Sequence, residues 1–194
     1  MISDHHRCVL VRHGETAWSL TRRHTGRTDL PLLPEGVIQV EALGPVLEHR
    51  TFAAVLCSPL LRARETCRLA GLSHPVIEPD LAEWDYGRFE GLTTEEIREE
   101  WPGWDLFRDG APEGEDAADV GARADRVIAR VRAIDGPVAC VAHGHLLRVL
   151  AARWGGLEPA AARGLVLAPA ALGILGWDRQ QPVIEQWNLG GAGY

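Results

Sequence analysis

The alternation of short apolar runs with segments of helical periodicity constrains the fold of this chain more than any other feature. Six runs rich in Val, Leu, Ile and Ala are typical of strands and lie at 7–11, 53–57, 75–78, 137–142, 171–177 and 182–187. Between them, apolar residues recur three or four positions apart, most clearly over 115–134, as in amphipathic helices. This order predicts an α/β fold, with three αβα layers around a mostly parallel mixed sheet of about six strands.

Local signals add two helices and one antiparallel edge. Ser58 followed by Pro59 is typical of a helix N-cap and first turn, and predicts a helix through about Ala70. A further helix is predicted over 145–154, where a pair of glycines ends it. The four residues 178–181 are too few for a right-handed crossover, so we expect the last two strands to pair antiparallel at the edge of the sheet.

Length and charge limit the kind of protein this can be. The 194 residues are enough for one domain, spanning 1–194, with a proper core. A formal charge of −7 argues against nucleic acid as a partner, because nucleic-acid binding requires a basic face, so any anion site must be local. The stretch 79–114 is rich in Trp, Gly, Pro and acidic residues, and we expect it to form a loop and helical excursion over the end of the sheet that carries the site.

The four cysteines lack the spacing of a metal or redox motif. No two of Cys8, Cys57, Cys67 and Cys140 form a C-x-x-C pair, so we expect buried free thiols and no metal site. The N-terminal residues lack the pattern of a signal peptide, and no apolar run approaches the about 18 residues of a membrane span. These features predict a cytoplasmic protein without a membrane partner.

Two predicted strands end in the same way. The first runs into Arg12 and His13, and the fourth runs into His143 and Gly144. Because ligands of open α/β sheets bind outside the carboxyl ends of the strands, the two histidines can face each other across one crevice. Arg62, in the first turns of the helix after the second strand, adds a second arginine. Such a cluster beside the start of a predicted helix favours an anion, and phosphate is the common choice.

Each of these residues also has a simpler interpretation. An Arg-His pair after a strand is more often an ordinary loop, and only the convergence of several strand ends favours a site. His143 and His145 could bind a metal, but no nearby Cys or acidic ligands support this; His145 is otherwise expected to orient the site or line its wall. The remaining histidines are interpreted as solvated or structural: His5, His6, His24, His49 and His74.

The aromatic residues of the excursion leave two alternatives open. Trp84, Trp101 and Trp104, together with Phe107, could line or roof the mouth of the crevice. They could equally form a hydrophobic mini-core under a long loop. The sequence does not choose between these interpretations.

Five stretches, in order along nearly the whole chain, resemble a known family. They are RHGETAWS at 12–19, HTGRTDLPLLPEG at 24–36, SPLLRARET at 58–66, LAEWDYGRFEGLT at 81–93 and VAHGHLLRVL at 141–150. Together they resemble the histidine phosphatase superfamily, which contains the cofactor-dependent phosphoglycerate mutases and many phosphatases. The resemblance implies a phosphoglycerate mutase-like fold and chemistry on a phosphoryl group.

The resemblance also implies a role for each of five residues. His13 would be the nucleophile that attacks phosphorus and forms a phosphohistidine. Arg12, Arg62 and His143 would bind the phosphoryl oxygens, so neither a metal nor another cofactor is required. Glu83 would donate a proton to the leaving oxygen and then activate the water that cleaves the phosphohistidine.

A second group of residues is implied to contact the substrate. Ser19, Thr25 and Gly26 match a loop that closes over the phosphate, although many members have Asn at the first of these positions. Tyr86 and Gly144 match positions on the substrate side of the site. For Thr25 a loop cap, and for Tyr86 a packed aromatic ring, are equally good interpretations.

Departures from the mutase pattern favour hydrolysis. The mutases carry Glu-Arg-His-Tyr-Gly, whose basic residues help to bind the substrate, where this chain has Glu-Trp-Asp-Tyr-Gly at 83–87. An acid such as Asp85 at that place would repel a phosphoglycerate carboxylate. The long basic insertion of a mutase is missing as well.

The sequence therefore predicts a metal-independent phosphatase that acts on a small phosphorylated metabolite. Sugar phosphates are the leading substrate class, because the motifs look closest to sedoheptulose bisphosphatase-like and acid phosphatase-like members. A phosphoglycerate mutase is the alternative, and a non-catalytic phospho-ligand binder is disfavoured because a binder needs neither His13 nor Glu83. The acidic composition and the edge strands are compatible with a monomer or a homodimer.

Overall fold

The computed structural model describes residues 7–190 and, within them, one six-stranded sheet. The strands are β1 (Cys8–Arg12), β2 (Ala54–Cys57), β3 (Val76–Ile77), β4 (Val138–Ala142), β5 (Ala171–Asp178) and β6 (Gln181–Gly190). Their order is β3-β2-β4-β1-β5-β6; the first four of these pair in parallel, whereas β5 pairs antiparallel with both β1 and β6. The predicted α/β class, with a mostly parallel sheet and an antiparallel edge, is confirmed.

Helices cover both faces of this sheet. They are α1 (Ala17–Leu20), α2 (Pro34–Glu41), α3 (Gly44–Glu48), α4 (Leu61–Leu69), α5 (Thr94–Glu100), α6 (Leu106–Asp109), α7 (Ala117–Arg132) and α8 (Gly144–Trp154), with short 3-10 turns at Pro79–Leu81, Gly87–Phe89 and Pro159–Gly164. The helices predicted over 115–134 and 145–154 are present as α7 and α8. The carboxylate of Asp116 accepts hydrogen bonds from the N–H groups of Ala118 and Asp119, and so caps α7 at its start.

Consecutive residues of the central strands enter two separate cores. Cys8 and Leu10 of β1 pack on the side of α7 and α8, whereas Val9 and Val11 pack on the side of α2 and α4. A strand covered by helices on both faces needs this continuous apolar run. The four cysteines are free and buried, as predicted.

The register of the sheet places the strand-end residues side by side. Arg12, the last residue of β1, is paired with Ala142, the last residue of β4. His13 and His143 therefore leave the sheet together, and the N–H of His13 donates to the carbonyl of Ala142 over 3.0 Å. Because β1, β2 and β4 are parallel, their carboxyl ends open onto one crevice.

The predicted helix N-cap at Ser58 is wrong. Helix α4 starts at Leu61, and its N-cap residue, Leu60, supplies no side-chain hydrogen bond. The hydroxyl of Ser58 instead lies 2.7 Å from Nε2 of His143. A serine that resembles a helix cap in the sequence is thus part of the strand-end cluster.

The excursion over 79–114 directs most of its aromatic residues into the core. Trp84, Trp104 and Phe107 are buried members of the core on the α7 and α8 side, whereas Trp101 is 41% exposed. The rings of Trp84 and Phe107 meet edge to face with their centroids 5.5 Å apart. The mini-core interpretation therefore describes these three residues.

Two further sequence expectations concern membranes and histidines. None of the helices within 7–190 is both long enough and apolar enough to span a bilayer. His5 and His6 lie outside the described residues. The histidines that can be placed are His13, His24, His49, His74, His143 and His145.

Candidate active site

A cavity of about 540 Å³ lies at the carboxyl ends of β1 and β4. Seven of the ten predicted site residues line it: Arg12, His13, Ser19, Thr25, Glu83, Tyr86 and Gly144. The other three, Gly26, Arg62 and His143, are buried behind this surface. The structure therefore brings the predicted residues together, but in two layers.

A larger cavity, of about 770 Å³, opens at the amino end of β2. Small and aliphatic residues form most of its wall, as at Ala53, Leu69 and Gly71, and none of the predicted site residues reaches it. Convergent polar and titratable groups indicate chemistry better than volume does, so the smaller cavity is the candidate active site.

His13 is in the tautomer that leaves its Nε2 atom unprotonated. Its Nδ1 lies 2.7 Å from the carbonyl oxygen of Gly14, and because a carbonyl only accepts, Nδ1 carries the proton. Burial lowers the pKa of His13 well below the usual 6.5, and the positive charges of Arg62 and Arg12 lower it further. The ring is therefore neutral at pH 7, and Nε2 carries the lone pair that a nucleophile needs.

Arg62, in the first turn of α4, organises the layer behind the cavity. Its two terminal nitrogens donate to three carbonyl oxygens over 2.9 to 3.0 Å, those of Thr25, Gly26 and Thr28. Its Nε donates to Nδ1 of His143 over 3.1 Å, so four of the five N–H groups are engaged. Burial lowers the pKa of Arg62, yet a guanidinium stays charged at neutral pH. Arg62 thus supplies a buried positive charge and fixes the shape of the loop.

Both ring nitrogens of His143 are engaged within the protein. Nδ1 accepts from Arg62, so the proton of the neutral ring lies on Nε2, which donates to Ser58. Burial, and after it the charge of Arg62, lowers the pKa of His143 well below 6.5. The ring centroid of His143 is 5.2 Å from that of His13, which confirms that the two strand ends bring their histidines together. Within residues 7–190, no group of three or more His, Cys, Asp or Glu could bind a metal ion.

Arg12 brings a second guanidinium to the cavity, with one donor unused. Its Nη1 donates to the carbonyl of Leu167, whereas its buried Nε has no hydrogen-bond partner among the described residues. A Cβ at position 144 would lie 3.1 Å from Cζ of Arg12, so Gly144 allows the guanidinium to lie against the start of α8. A buried N–H without an acceptor is costly, and Arg12 itself lines the cavity with a positive charge that favours an anion.

Glu83 lies at the amino end of α8. Its carboxylate accepts hydrogen bonds from the backbone N–H groups of Trp84 and Leu146 over 2.9 Å, and of His145 over 3.0 Å. The start of this helix was expected to attract an anion, and the acidic side chain that it contacts is Glu83. The helix thereby fixes the carboxyl group in the wall of the cavity.

Glu90 organises the predicted substrate loop, although no role was predicted for it from the sequence. Its carboxylate accepts from the N–H groups of Gly26 and Thr28 over 2.9 and 3.0 Å. A Cβ at position 26 would lie 2.6 Å from the carbonyl oxygen of Trp84, so only glycine fits there. Because Glu90 is 64 residues from Gly26 in the chain, spacing could not reveal the contact.

The hydroxyl groups of Ser19 and Thr25 form hydrogen bonds to residues that are close to them in the chain. Ser19 and Thr16 form a reciprocal capping box at the start of α1. The hydroxyl of Thr25 donates to the carbonyl of Arg23 over 3.1 Å. The loop-cap interpretation therefore describes Thr25, and both residues still border the cavity.

Three residues form what we call the side wall of the cavity: His24, Tyr86 and His145. Oη of Tyr86 lies 2.6 Å from Nδ1 of His145, and the ring centroid of His24 lies 4.8 Å from that of Tyr86. Burial lowers the pKa of His24 to about 4, lowers that of His145 well below 6.5 and raises that of Tyr86 well above 10. His24, which was interpreted from the sequence as solvated or structural, therefore belongs to the site.

The Trp84 and Asp85 pair that departs from the mutase pattern lies away from the cavity. The indole of Trp84 is buried, and its N–H donates to the carbonyl of Glu115 over 2.8 Å. Asp85 forms an ion pair with Arg27 at 2.7 Å. Asp85 therefore does not act by repelling a substrate carboxylate, as the sequence suggested. Of the described residues that line the cavity, none is a tryptophan.

Comparison with known proteins agrees with the five motifs and the fold. The model of the histidine phosphatase superfamily (branch 1) matches residues 8–190. An acid phosphatase from Mycobacterium tuberculosis is 41% identical, over 89% of this chain and 87% of that protein. Sedoheptulose 1,7-bisphosphatase from Saccharomyces cerevisiae is 38% identical, over 78% of this chain and 68% of that protein.

A solved structure is also similar to this chain, in fold as well as in sequence. The structure of the open reading frame Rv3214 product from Mycobacterium tuberculosis superposes with a TM-score of 0.92 at 40% identity, and the match covers 96% of this chain and 99% of that chain. The sequence motifs, the strand order and the two neighbouring strand-end histidines agree with these matches. The chain belongs to branch 1 of the histidine phosphatase superfamily.

Proposed function

We propose that this protein is a metal-independent phosphatase that hydrolyses small phosphomonoesters, sugar phosphates above all, through a phosphohistidine on His13. The observation that carries the proposal is the state of His13: a neutral ring whose Nδ1–H is bound to Gly14, leaving Nε2 unprotonated at the cavity. The two relatives described above, named as a phosphatase and a bisphosphatase, support hydrolysis.

In the first step, Nε2 of His13 attacks phosphorus. The P–N bond forms as the bond from phosphorus to the leaving oxygen breaks. The positive charges of Arg12, which lines the cavity, and of Arg62, buried behind it, stabilise the phosphoryl oxygens, because charged groups that are already held in place need little reorganisation. These two guanidinium groups supply the positive charge that a metal would otherwise bring.

Glu83 handles the protons of both steps. It donates one to the leaving oxygen, so that the alcohol departs neutral, and the carboxylate then takes one from the attacking water. Water cleaves the P–N bond, releases inorganic phosphate and restores neutral His13. The hydrogen bonds from α8 position the carboxyl group for this exchange.

The experiment that tests the proposal is rapid-quench trapping with p-nitrophenyl phosphate in the presence of a metal chelator. We expect turnover to continue and a phosphoryl group to accumulate on His13, labile to acid and stable to base. Absence of phosphate release, or activity that the chelator removes and a metal restores, would overturn it. A panel of phosphorylated metabolites then ranks sugar phosphates against other monoesters.

Phosphoryl transfer between phosphoglycerates is the second candidate, because three arginines border the mouth of the cavity: Arg22, Arg23 and Arg148. Such a mouth suits a substrate with a second anionic group. Arg23 is already paired with Glu96, through hydrogen bonds of 2.8 and 3.1 Å. In an assay with 2,3-bisphosphoglycerate, interconversion of phosphoglycerates faster than phosphate release would favour this candidate over the phosphatase.

A further inference from the structure

The side wall contains a hydrogen-bonded pair with two possible proton arrangements. Tyr86 Oη and His145 Nδ1 lie 2.6 Å apart. When Tyr86 donates, His145 presents Nε2–H as a donor; when His145 donates, Tyr86 presents its O–H and His145 Nε2 becomes an acceptor. The pair can therefore offer a donor or an acceptor with no change of charge. A hydroxyl group, which both donates and accepts, matches such a pair.

His24 extends this surface and keeps it polar. Its ring centroid is 6.0 Å from that of His145, and its Nε2 is 3.4 Å from the hydroxyl of Thr94, which also borders the cavity. Both imidazoles are uncharged at neutral pH, because burial lowers their pKa values. An alkyl chain placed here would leave the free donor or acceptor of the Tyr86–His145 pair without a hydrogen-bond partner, which is unfavourable for a buried polar group.

The position of the side wall shows which part of a substrate it would meet. The backbone N–H of His145 donates to Oε2 of Glu83 over 3.0 Å, so the side wall adjoins the carboxyl group that is proposed to protonate the leaving oxygen. Arg12 and His13, which would bind the phosphoryl group, border the same cavity. The carbon atoms next to the leaving oxygen are therefore expected beside Tyr86 and His145.

We infer that His145 and Tyr86, supported by His24, bind hydroxyl groups on the carbons next to the scissile oxygen, so that the enzyme selects polyol phosphates over alkyl phosphates. This inference rests on the proposed phosphatase activity. His145 and Tyr86 act as specificity-determining residues in it, because they contact the part of the substrate that leaves.

The test compares two monoesters with the same three-carbon chain, glycerol 3-phosphate and propyl phosphate. We expect kcat/KM of the wild-type enzyme to be at least tenfold higher for glycerol 3-phosphate, since one hydrogen bond to a buried group contributes about tenfold. His145→Phe should bring this ratio to within about twofold of one, and Tyr86→Phe should lower it. His145→Gln, whose amide keeps a donor and an acceptor, should restore part of it.

The controls separate this inference from the proposed function. His49→Phe, on the exposed end of α3, should leave the ratio unchanged. A wild-type ratio near one, or a ratio that survives both His145→Phe and Tyr86→Phe, overturns the inference. If His145→Phe does not fold, as judged by thermal unfolding, Tyr86→Phe decides alone. Failure of the wild-type enzyme to hydrolyse p-nitrophenyl phosphate would instead overturn the phosphatase activity.

Discussion

The floor and the wall of the cavity differ in how the chain builds them. What we call the floor is Arg12 and His13 at the cavity surface, together with Arg62 and His143 buried behind them. These residues end or directly follow parallel strands or begin the next helix, and their side chains bond mainly to backbone carbonyls and to one another. The wall consists of Glu83 and the side wall, contributed by separate parts of the chain that meet only in the folded protein.

The two regions also differ in charge and in what they can recognise. The floor concentrates two guanidinium groups around neutral imidazoles, a setting that suits the phosphoryl group of any monoester. The wall combines one carboxyl group with uncharged polar rings, a setting that suits the leaving alcohol. Chemistry common to a family can thus be kept in the floor while substrate preference changes in the wall.

Removal of the nucleophile should have the largest effect and should not depend on the leaving group. His13→Ala leaves no nitrogen to attack phosphorus, so kcat should fall about 10⁴-fold or more for aryl and alkyl phosphates alike. Phosphate release under saturating substrate measures it, with His49→Ala as an exposed control. A His13→Ala enzyme that keeps more than a hundredth of the activity would contradict the assignment of His13 as the nucleophile.

Removal of the proton donor should instead discriminate between leaving groups. Glu83→Gln should lower kcat for an alkyl or sugar phosphate by about 10²–10⁴-fold, because a departing alkoxide needs a proton. p-Nitrophenolate leaves without one, so the loss for p-nitrophenyl phosphate should be smaller. Equal losses on both substrates would show that Glu83 does not act on the leaving oxygen. Thermal unfolding checks that the start of α8 tolerates the amide.

The floor was predictable from sequence because local rules determine it. An apolar run followed by Arg12 and His13 predicts both the strand and the residues at its carboxyl end. The parallel order of the strands then brings His143 and Arg62 to the same edge of the sheet. The error there was Ser58, whose pairing with His143 spans 85 residues and imitates a helix cap locally.

The wall was harder to predict because its contacts are long-range. His24 meets Tyr86 and His145 only through tertiary packing, and no periodicity marks a lone histidine in a loop. Glu83 was identified by resemblance, but its contact with α8 depends on a segment 62 residues later. The Trp84 and Asp85 substitutions looked like substrate contacts, yet they pack or pair away from the cavity.

The two arginines of the floor should separate stability from activity. Arg62→Lys replaces a planar fork with a point charge and cannot reach three carbonyls and His143 together, so we expect a loss of about 1–3 kcal/mol in the free energy of unfolding. Arg12→Lys, with one donor bound to Leu167, should lose less stability than Arg62→Lys and should raise KM. Urea unfolding and steady-state kinetics measure the two effects, and equal losses of stability would contradict the distinction.

The smallest expected effect concerns the response of the wall to acid. His24 titrates near 6.5 when unfolded but has a pKa of about 4 in the folded protein, so between these values only the unfolded chain takes up the proton. Its contribution to stability is therefore complete above pH 6.5 and is lost as the pH falls toward 4. At pH 5 the loss amounts to about 2 kcal/mol.

The His24→Phe variant isolates the pH-dependent contribution of His24 to stability. It keeps a ring that can pack against Tyr86 and Trp104 but removes the group that titrates. Urea unfolding at pH 7 and pH 5 should show a drop in stability that is about 2 kcal/mol smaller in the variant than in the wild-type protein. Acid also destabilises both proteins through His13 and His143, whose pKa values are lowered in the folded state. The variant therefore retains part of the drop in stability. An unchanged pH dependence would mean that His24 is hydrated in the folded state, and that the side wall is more open to water than its burial indicates.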